Sequence, residues 1–462
     1  MNQPSQNASK KSLGVFAVAM FAVAGIFSLR SLPTMAEYGF SSVFYYVLAA
    51  IVFFIPSALV CAELATGWPK DGGVYIWVKE ALGAKFGFLS IWFEWTNTIV
   101  WFPAVLSFVA ATVAYSFMPS LAHNKYYMFF TMLALFWGAT IINLFGVRVS
   151  GFISSFSIIF GTLLPGLVII SLGIIWLMSG QPSQIQFSFK TLMPHLHLGQ
   201  TAFLAGLVIS FAGMQVAAFH AQSVENPQKN FPRAILIATV IILFTAILSA
   251  LSIAVVLPQS QISLVSGLMQ TATLFFATFH IAGAAKVFAF LTALGSIAAM
   301  NTWLIGPSKG ILVTAETGHL PNHLMKKNRY GVPVNVFIWQ AVVGSLLATV
   351  YLFMPTISSS YWMLNVLTSQ LTMFMYILLF ISAIRLRYTH PNISRGYKIP
   401  GGKIGVWLVA GMGLLVSVLT LGLGFIPPSQ INIGNPWFFE GFLITGILVF
   451  SIPAFWLYNN TK

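Results

Sequence analysis

Ser210-Phe211-Ala212-Gly213-Met214-Gln215 lies near the middle of an apolar run that begins at about Thr201 and ends at Glu225-Asn226-Pro227. The run is long enough to cross a bilayer, which takes about 20 apolar residues in a helix. Small residues and a glycine nevertheless interrupt its centre. Membranes tolerate non-helical backbone only where it lines a cavity or is buried in protein. The stretch therefore predicts a broken transmembrane helix at a binding site.

A similar interruption lies in the first apolar run, at Ala22-Val23-Ala24-Gly25-Ile26-Phe27-Ser28. Two broken helices at corresponding places in the two halves of a chain are typical of a transporter's substrate site. The segment also fits a secretory signal peptide, with Lys10-Lys11 as its basic start and Ala22-Val23-Ala24 as a cleavage-like site. The matching break in the second half favours the transmembrane interpretation.

Composition places the chain among polytopic membrane proteins. Of 462 residues, 58% are hydrophobic and 6% are charged, whereas soluble domains carry about 25% charged residues. The net charge of +14 does not indicate nucleic acid, because the cations separate apolar runs instead of forming one basic face. The single cysteine, Cys61, excludes an intramolecular disulfide and a cysteine-rich metal site.

The apolar runs predict an all-α fold with twelve transmembrane helices. The first run begins at about residue 13, and the others cover roughly 41–66, 86–118, 127–146, 150–179, 201–224, 234–257, 284–307, 333–354, 360–386, 404–427 and 437–458. If the loops alternate, all but four of the 22 cations lie on one side; the four are Arg30, Lys125, Lys190 and Lys286. The positive-inside rule then places both termini in the cytoplasm and the chain in the cell (inner) membrane.

Catalytic motifs lack their structural context. Gly306-Pro307-Ser308-Lys309-Gly310 fits the pattern of a nucleophile elbow. That motif requires a strand before the serine, together with histidine and acid partners, and here the preceding run is helical and apolar. We therefore do not expect an enzyme.

Several motifs resemble those of the amino acid-polyamine-organocation (APC) superfamily. Ser210 to Gln215, followed by Val224-Glu225-Asn226-Pro227-Gln228-Lys229-Asn230-Phe231-Pro232-Arg233-Ala234, resembles the superfamily's sixth-helix signature. Two further segments support the superfamily, Trp68-Pro69-Lys70-Asp71-Gly72-Gly73-Val74-Tyr75 and Gly306-Pro307-Ser308-Lys309-Gly310-Ile311-Leu312-Val313-Thr314-Ala315. Within the superfamily, the chain is most similar to the bacterial glutamate/γ-aminobutyrate antiporters. The segments that carry this closer resemblance are the one from Gly306 to Ala315, Gly331-Val332-Pro333-Val334 and Tyr397-Lys398-Ile399-Pro400-Gly401-Gly402-Lys403.

This resemblance implies a five-plus-five inverted repeat (LeuT-like) that works by alternating access, with helices one and six broken. A cytoplasmic tail (1–12) would precede the first repeat (13–180, helices one to five), the second repeat (200–388, helices six to ten) and two extra helices (403–458). It implies an amino acid antiporter, monomeric or homodimeric, whose partners are a small-molecule substrate and the lipid bilayer, without nucleic acid. A sodium- or proton-coupled symporter is the alternative, followed by a transporter-like sensor or channel.

The broken helices suit a zwitterion. Amides and the positive end of a helix dipole favour an anion, while freed carbonyls favour a cation. We assign the substrate carboxylate to the amides around Ala24, Gly25 and Ile26, and its ammonium group to carbonyls near Val23, Phe211 and Ala212. Phe211 is either a gate over the ligand or an ordinary packing residue.

Arg30 is the main candidate for side-chain selectivity, because an intramembrane charge is a functional candidate by default. It would pair with a substrate carboxylate and favour glutamate-like ligands. The alternative is that Arg30 extends to the outer interface. Weaker substrate-binding candidates are Asn97, Trp101, Gln215 and Asn301, for which interhelical hydrogen bonding and packing compete.

Groups that would couple transport to an ion differ from the family pattern. Relatives implied by the resemblance carry glutamate at the positions of Gln215 and Ala299, and many carry lysine at Ser155. Hydroxyls of Ser154 or Ser155 with Thr302 are an alternative that would favour sodium; we predict no firm metal site and no cofactor.

Other ionisable candidates in the apolar runs are Glu63, Glu94, Glu225 and His220. Glu94 lies deepest and is the better coupling candidate, and His220 is a candidate pH-responsive group. Glu63 and Glu225 end their spans, where capping or pairing with Lys229 or Arg233 is expected.

Overall fold

The computed structural model describes residues 14–70, 72–145, 159–194, 198–215, 226–315 and 320–460. Within these ranges the fold is helical, and the β-structure consists of an isolated bridge between Lys327 and Pro333. The all-α prediction is confirmed for this part of the chain. Ser308 lies inside a helix and donates to the carbonyl of Leu304 at 2.7 Å, so it does not occupy a strand-to-helix elbow.

Fifteen helices, numbered here in chain order, organise the described residues, together with shorter turns. They are α1 (Val15–Ile26), α2 (Leu32–Ala36), α3 (Gly39–Gly67), α4 (Val74–Leu82), α5 (Ala84–Phe117), α6 (Lys125–Leu144), α7 (Ile159–Met178), α8 (Phe203–Ser210), α9 (Pro227–Val256), α10 (Gly267–Thr278), α11 (Ala284–Ala315), α12 (Val334–Phe353), α13 (Ile357–Thr389), α14 (Gly402–Leu423) and α15 (Pro436–Asn460).

Ten of these helices are long and apolar enough to cross a membrane: α3, α5, α6, α7, α9 and α11 to α15. The other two predicted spans are the interrupted runs that contain α1 with α2, and α8. The ten helices differ in how much of their most apolar 18-residue segment is buried inside the protein. The buried share is 83% for α5 and 78% for α13, but 22% for α15. Helices α5 and α13 therefore form the core around which the others pack.

The first run is broken at the end of the predicted stretch. α1 ends at Ile26, and Phe27 and Ser28 have extended backbone before a short 3₁₀ turn at Leu29–Ser31 leads into α2. Amides in the last turn of an α-helix are bonded within it, whereas its last carbonyls are free. The assignment of a carboxylate to the amides of Ala24, Gly25 and Ile26 is therefore wrong in position.

The second run breaks where the sequence predicts. α8 ends at Ser210, Phe211 caps it, and Gly213 has a φ of +130° that L side chains rarely adopt. A Cβ added to Gly213 would lie 3.3 Å from Cγ1 of Ile26 and 3.4 Å from the carbonyl oxygen of Gly25. The end of α1 and the break after α8 therefore face each other, as the argument from paired breaks requires.

A buried ion pair ties the end of α3 to the end of α13. Nη2 of Arg387 donates to Oε2 of Glu63 at 2.6 Å, and Nε of Arg395 lies 3.3 Å from the other carboxylate oxygen. The expectation that Glu63 pairs with Lys229 or Arg233 is wrong. These partners lie more than 300 residues along the chain from Glu63, where local sequence gives no sign of the contact.

Candidate functional site

A cavity of about 100 Å³ lies between the two breaks. The end of α1 and the segment that follows it form one wall, and the break after α8 forms another. Helices α5, α7, α11 and α13 complete the lining. Of the predicted site residues, those that line this cavity are Gly25, Ile26, Arg30, Glu94, Asn97, Trp101, Ala212 and Gln215.

Arg30 is a buried cation without a described acidic partner. Its residue is 8% exposed, and its Nη1 donates to the hydroxyl of Tyr361 at 2.9 Å and to Oδ1 of Asn365 at 3.2 Å. The guanidinium carbon lies 5.5 Å from the centre of the Trp101 ring. Its Nε has no hydrogen-bond partner among the described residues, and no described carboxylate lies within 4.0 Å of it. Arg30 therefore does not extend to the outer interface.

Glu94 places a buried carboxyl group on the same cavity. It is 2% exposed, and Nε2 of Gln215 donates to its Oε1 at 3.0 Å. Nδ2 of Asn97, one turn further along α5, approaches Oε2 at 3.5 Å. Glu94 shares the cavity with Arg30 without an ion pair between them, and its role as a coupling group stays a prediction.

Four predicted residues lie away from the lining. Val23 is fully buried, and its carbonyl accepts the amide of Phe27 at 2.8 Å. Ala24 belongs to the last turn of α1. Phe211 stacks on Phe54 with ring centres 4.9 Å apart, which agrees with the alternative that Phe211 is an ordinary packing residue. Asn301 accepts a 2.6 Å hydrogen bond from the side chain of Asn143. This bond between two helices is the alternative to substrate binding that the sequence analysis gave for Asn301.

Several coupling candidates fall outside the described part of the chain. Ser154, Ser155, His220 and Glu225 lie in segments that the structure does not describe. Thr302 lies on α11, and its side chain is also outside the description. The sodium hypothesis and the histidine hypothesis therefore stay predictions.

Helix α13 supplies the site residues that the sequence analysis missed. Tyr361, Asn365, Thr368, Thr372 and Tyr376 follow one another at intervals of three or four residues, which places them on one face of a helix. The first two hold Arg30, the two threonines line the cavity, and Tyr376 contacts the break after α8. The signal that could have identified these residues is a row of polar side chains on one face of an otherwise apolar span.

Buried apolar spans, two facing helix breaks, and a guanidinium and a carboxyl group on one cavity define a multi-pass membrane protein with a small-molecule site. A family model described as "Amino acid permease" matches residues 13–450. The chain therefore belongs to the amino acid permease family, and the resemblance to the APC superfamily is confirmed.

Named relatives cover nearly the whole chain. An uncharacterised transporter of Legionella pneumophila is 42% identical over 98% of this chain and 97% of its own length. A glutamate/gamma-aminobutyrate antiporter of Lactococcus lactis is 28% identical over 98% of this chain and 91% of its own. A probable agmatine/putrescine antiporter of the same species is 22% identical over 90% of this chain and 89% of its own.

Proposed function

We propose that the protein is a secondary active amino acid transporter, an antiporter of the glutamate/γ-aminobutyrate type that works by alternating access. The observation that carries this proposal is Arg30, a buried guanidinium on the cavity between two helix breaks with no described acidic partner. The relatives with glutamate/γ-aminobutyrate antiporter names support the same substrate class.

The charge of Arg30 favours a carboxylate ligand. Removing a charged group from water costs several kcal/mol, and the neutral oxygens of Tyr361 and Asn365 offset only part of that cost. A carboxylate brought by the substrate supplies the missing charge, and a bidentate pair with the guanidinium is its strongest form. Binding an anion here therefore stabilises the protein as well as the ligand.

The backbone at the first break suits the other groups of an amino acid. Amides of Leu29 and Arg30 stand at the start of the turn after the break, where amides have no helical partner. The carbonyls of Gly25 and Ile26 end α1 and favour a cation. We therefore move the proposed carboxylate position one turn forward from the sequence prediction, and keep the ammonium group beside Gly25, Ile26 and Ala212.

The proposed architecture is the twelve-helix, five-plus-five inverted repeat, with a tail in 1–12, repeats in 13–180 and 200–388, and two extra helices in 403–458. Both termini are proposed to be cytoplasmic and the protein to lie in the inner membrane. The distribution of cations supports that orientation.

Proton-coupled symport is the second candidate function, because Glu94 places an ionisable group on the substrate cavity. Proteoliposomes separate the two functions. An antiporter takes up labelled glutamate when glutamate or γ-aminobutyrate is loaded inside, and it does so without an ion gradient. A symporter accumulates substrate only while the gradient lasts, and that result would replace antiport by symport.

The assignment of Arg30 is tested by comparing Arg30→Ala with Lys286→Ala, which removes an exposed cation that we place on the same side of the membrane. A buried charged hydrogen bond is worth about 1.5–3 kcal/mol, or about tenfold to 100-fold in affinity. We expect Arg30→Ala to weaken uptake of glutamate by that factor, with a change of less than about threefold for neutral amino acids. Equal losses for acidic and neutral substrates would assign Arg30 to structure.

A further inference from the structure

A second cavity, of about 320 Å³, lies at the opposite end of α2 from Arg30. The end of α2, the turn into α3, the segment 184–193 and the end of α9 form most of its lining. It shares no described lining residue with the cavity that Arg30 and Glu94 line. The helical path from Arg30 to Glu37 covers on the order of 10 Å. We call this second, separate space the outer cavity.

The outer cavity reaches the surface of the protein. Gln184, Gln186 and Gln259 line it and are exposed. In the orientation proposed above, the loops that carry these glutamines lie on the side of Lys190 and Lys286, outside the membrane. A small solute outside the cell can therefore enter the outer cavity without passing through the substrate cavity.

Glu37 places a buried carboxyl group on the outer cavity without a described partner. Its residue is 3% exposed, and no hydrogen bond or ion pair joins its side chain to another described residue. Burial raises the pKa of this carboxyl group to about 8, because desolvation disfavours the charged form. A buried carboxylate costs free energy unless a cation or several donors compensate it. Glu37 therefore favours a ligand that brings a positive charge.

The rest of the lining suits an organic ammonium group better than a metal ion. The rings of Tyr38 and Tyr45, both on this cavity, have centres 4.5 Å apart, and aromatic faces attract organic cations. Calcium binds six to eight oxygen ligands, whereas Glu37 supplies the only described carboxyl group on the cavity. No described cation lines it, and its volume far exceeds the site of one water molecule. It therefore has room for a small organic molecule.

We propose that the outer cavity is a second binding site, which takes the ammonium group of a small organic amine with the Glu37 carboxylate as its counter-ion. The rings of Tyr38 and Tyr45 flank the ammonium group, and the glutamine amides at the rim bond to polar groups on the rest of the ligand. Because this site is separate from the substrate cavity, the inference does not depend on amino acid exchange.

Binding of butylammonium to the purified full-length protein in detergent micelles tests the inference. Titrations followed by saturation-transfer NMR at about pH 9 give the Kd, since Glu37 is then mostly ionised and a primary amine keeps its proton to about pH 10. Phenols also titrate near pH 10, so Tyr38 and Tyr45 stay neutral. We expect Glu37→Gln to raise the Kd at least about tenfold, which is the usual contribution of a hydrogen bond to a charged group.

Controls separate the ammonium group from other ligands. Butyrate, which has the same chain and a carboxylate in place of the amine, should not displace butylammonium. Sodium chloride at the same concentration should not displace it either, and equal displacement by sodium would make the site an inorganic cation site and overturn the inference. Glu440→Gln is the matched variant, because Glu440 is an acid on the same side that does not line the outer cavity. It should keep the wild-type Kd.

Two further variants locate the bound amine. Gln186→Lys places a cation at the exposed rim and should weaken butylammonium binding as Glu37→Gln does, without a change in the protein interior. Glu94→Gln alters the carboxyl group of the substrate cavity and should keep the wild-type Kd. Loss of binding in Glu94→Gln instead of in Glu37→Gln, or no binding by the wild type, would overturn the inference. A wild type that binds butylammonium but exchanges no amino acid would refute the proposed function and leave this site in place.

Discussion

The ion pair between Glu63 and Arg387 should be a major source of stability where the end of α3 meets the end of α13. Both side chains are 4% exposed. Arg387 also donates to the carbonyl of Ile399 at 2.9 Å, and the amide of Ile399 donates to Oε2 of Glu63 at 2.9 Å. Removing one partner of such a pair costs about 3–5 kcal/mol, because the other charge stays buried. For Arg387→Met we expect about 3 kcal/mol, the lower end, since Arg395 remains 3.3 Å from Glu63.

A double-mutant cycle measures this pair. The free energy of unfolding is obtained from urea titration of the protein in detergent micelles for Arg387→Met, Glu63→Gln and the double variant. Because each single change leaves a buried group unpaired, the double variant should lose less than the sum of the two, by about 2 kcal/mol. Arg385→Met is the control, because Arg385 is exposed on the same helix, and it should change stability by less than about 0.5 kcal/mol. Equal losses for Arg387→Met and Arg385→Met would refute the reasoning.

Two further predictions concern packing and pH. A Cβ on Gly295 would lie 2.4 Å from the carbonyl carbon of Gly161, so Gly295→Ala should prevent correct packing of α7 on α11 and abolish the monodisperse peak in size-exclusion chromatography. Gly411→Ala, whose Cβ would make an ordinary 3.6 Å contact, should elute like the wild type, and normal elution of Gly295→Ala would contradict the packing argument. Burial raises the pKa of Glu37, in the turn between α2 and α3, from 4.5 to about 8. The folded protein then binds this proton more tightly than the unfolded chain, so the stability it contributes is complete below about pH 4.5 and is lost as the pH rises to about 8. Glu37→Gln should therefore show a smaller fall in melting temperature from about pH 5 to about pH 8 than the wild type, whereas equal falls would remove Glu37 as the cause.

Composition and the spacing of apolar runs were enough to predict a helical membrane protein and its two breaks. The first run breaks only at Phe27 and Ser28, the end of the predicted stretch. Small residues at Ala22 to Gly25 weaken a helix only slightly, and the helix continues to Ile26 because its last turn packs against the break after α8. Helix propensity is a property of each residue by itself, so it gives no information about the segment against which α1 packs.

The sequence predicted the site residues that stand out individually. It missed the residues that belong to the site only because they contact a residue far away in the chain. Arg30 and Glu94 stand out as charges within apolar runs. Tyr361 and Asn365, which hold Arg30, lie more than 300 residues further along the chain. Aromatic and amide side chains are common in transmembrane spans, so only the tertiary contact marks these two as part of the site.

The buried charge of Arg30 supports an amino acid substrate over a polyamine. Neutral groups of α13 hold Arg30, and no described carboxylate pairs with it. A substrate carboxylate compensates this charge, whereas a diamine leaves Arg30 facing a second cation. Glutamate and γ-aminobutyrate should therefore outcompete putrescine for the site, and preferential exchange of putrescine would show that Arg30 does not face the ligand.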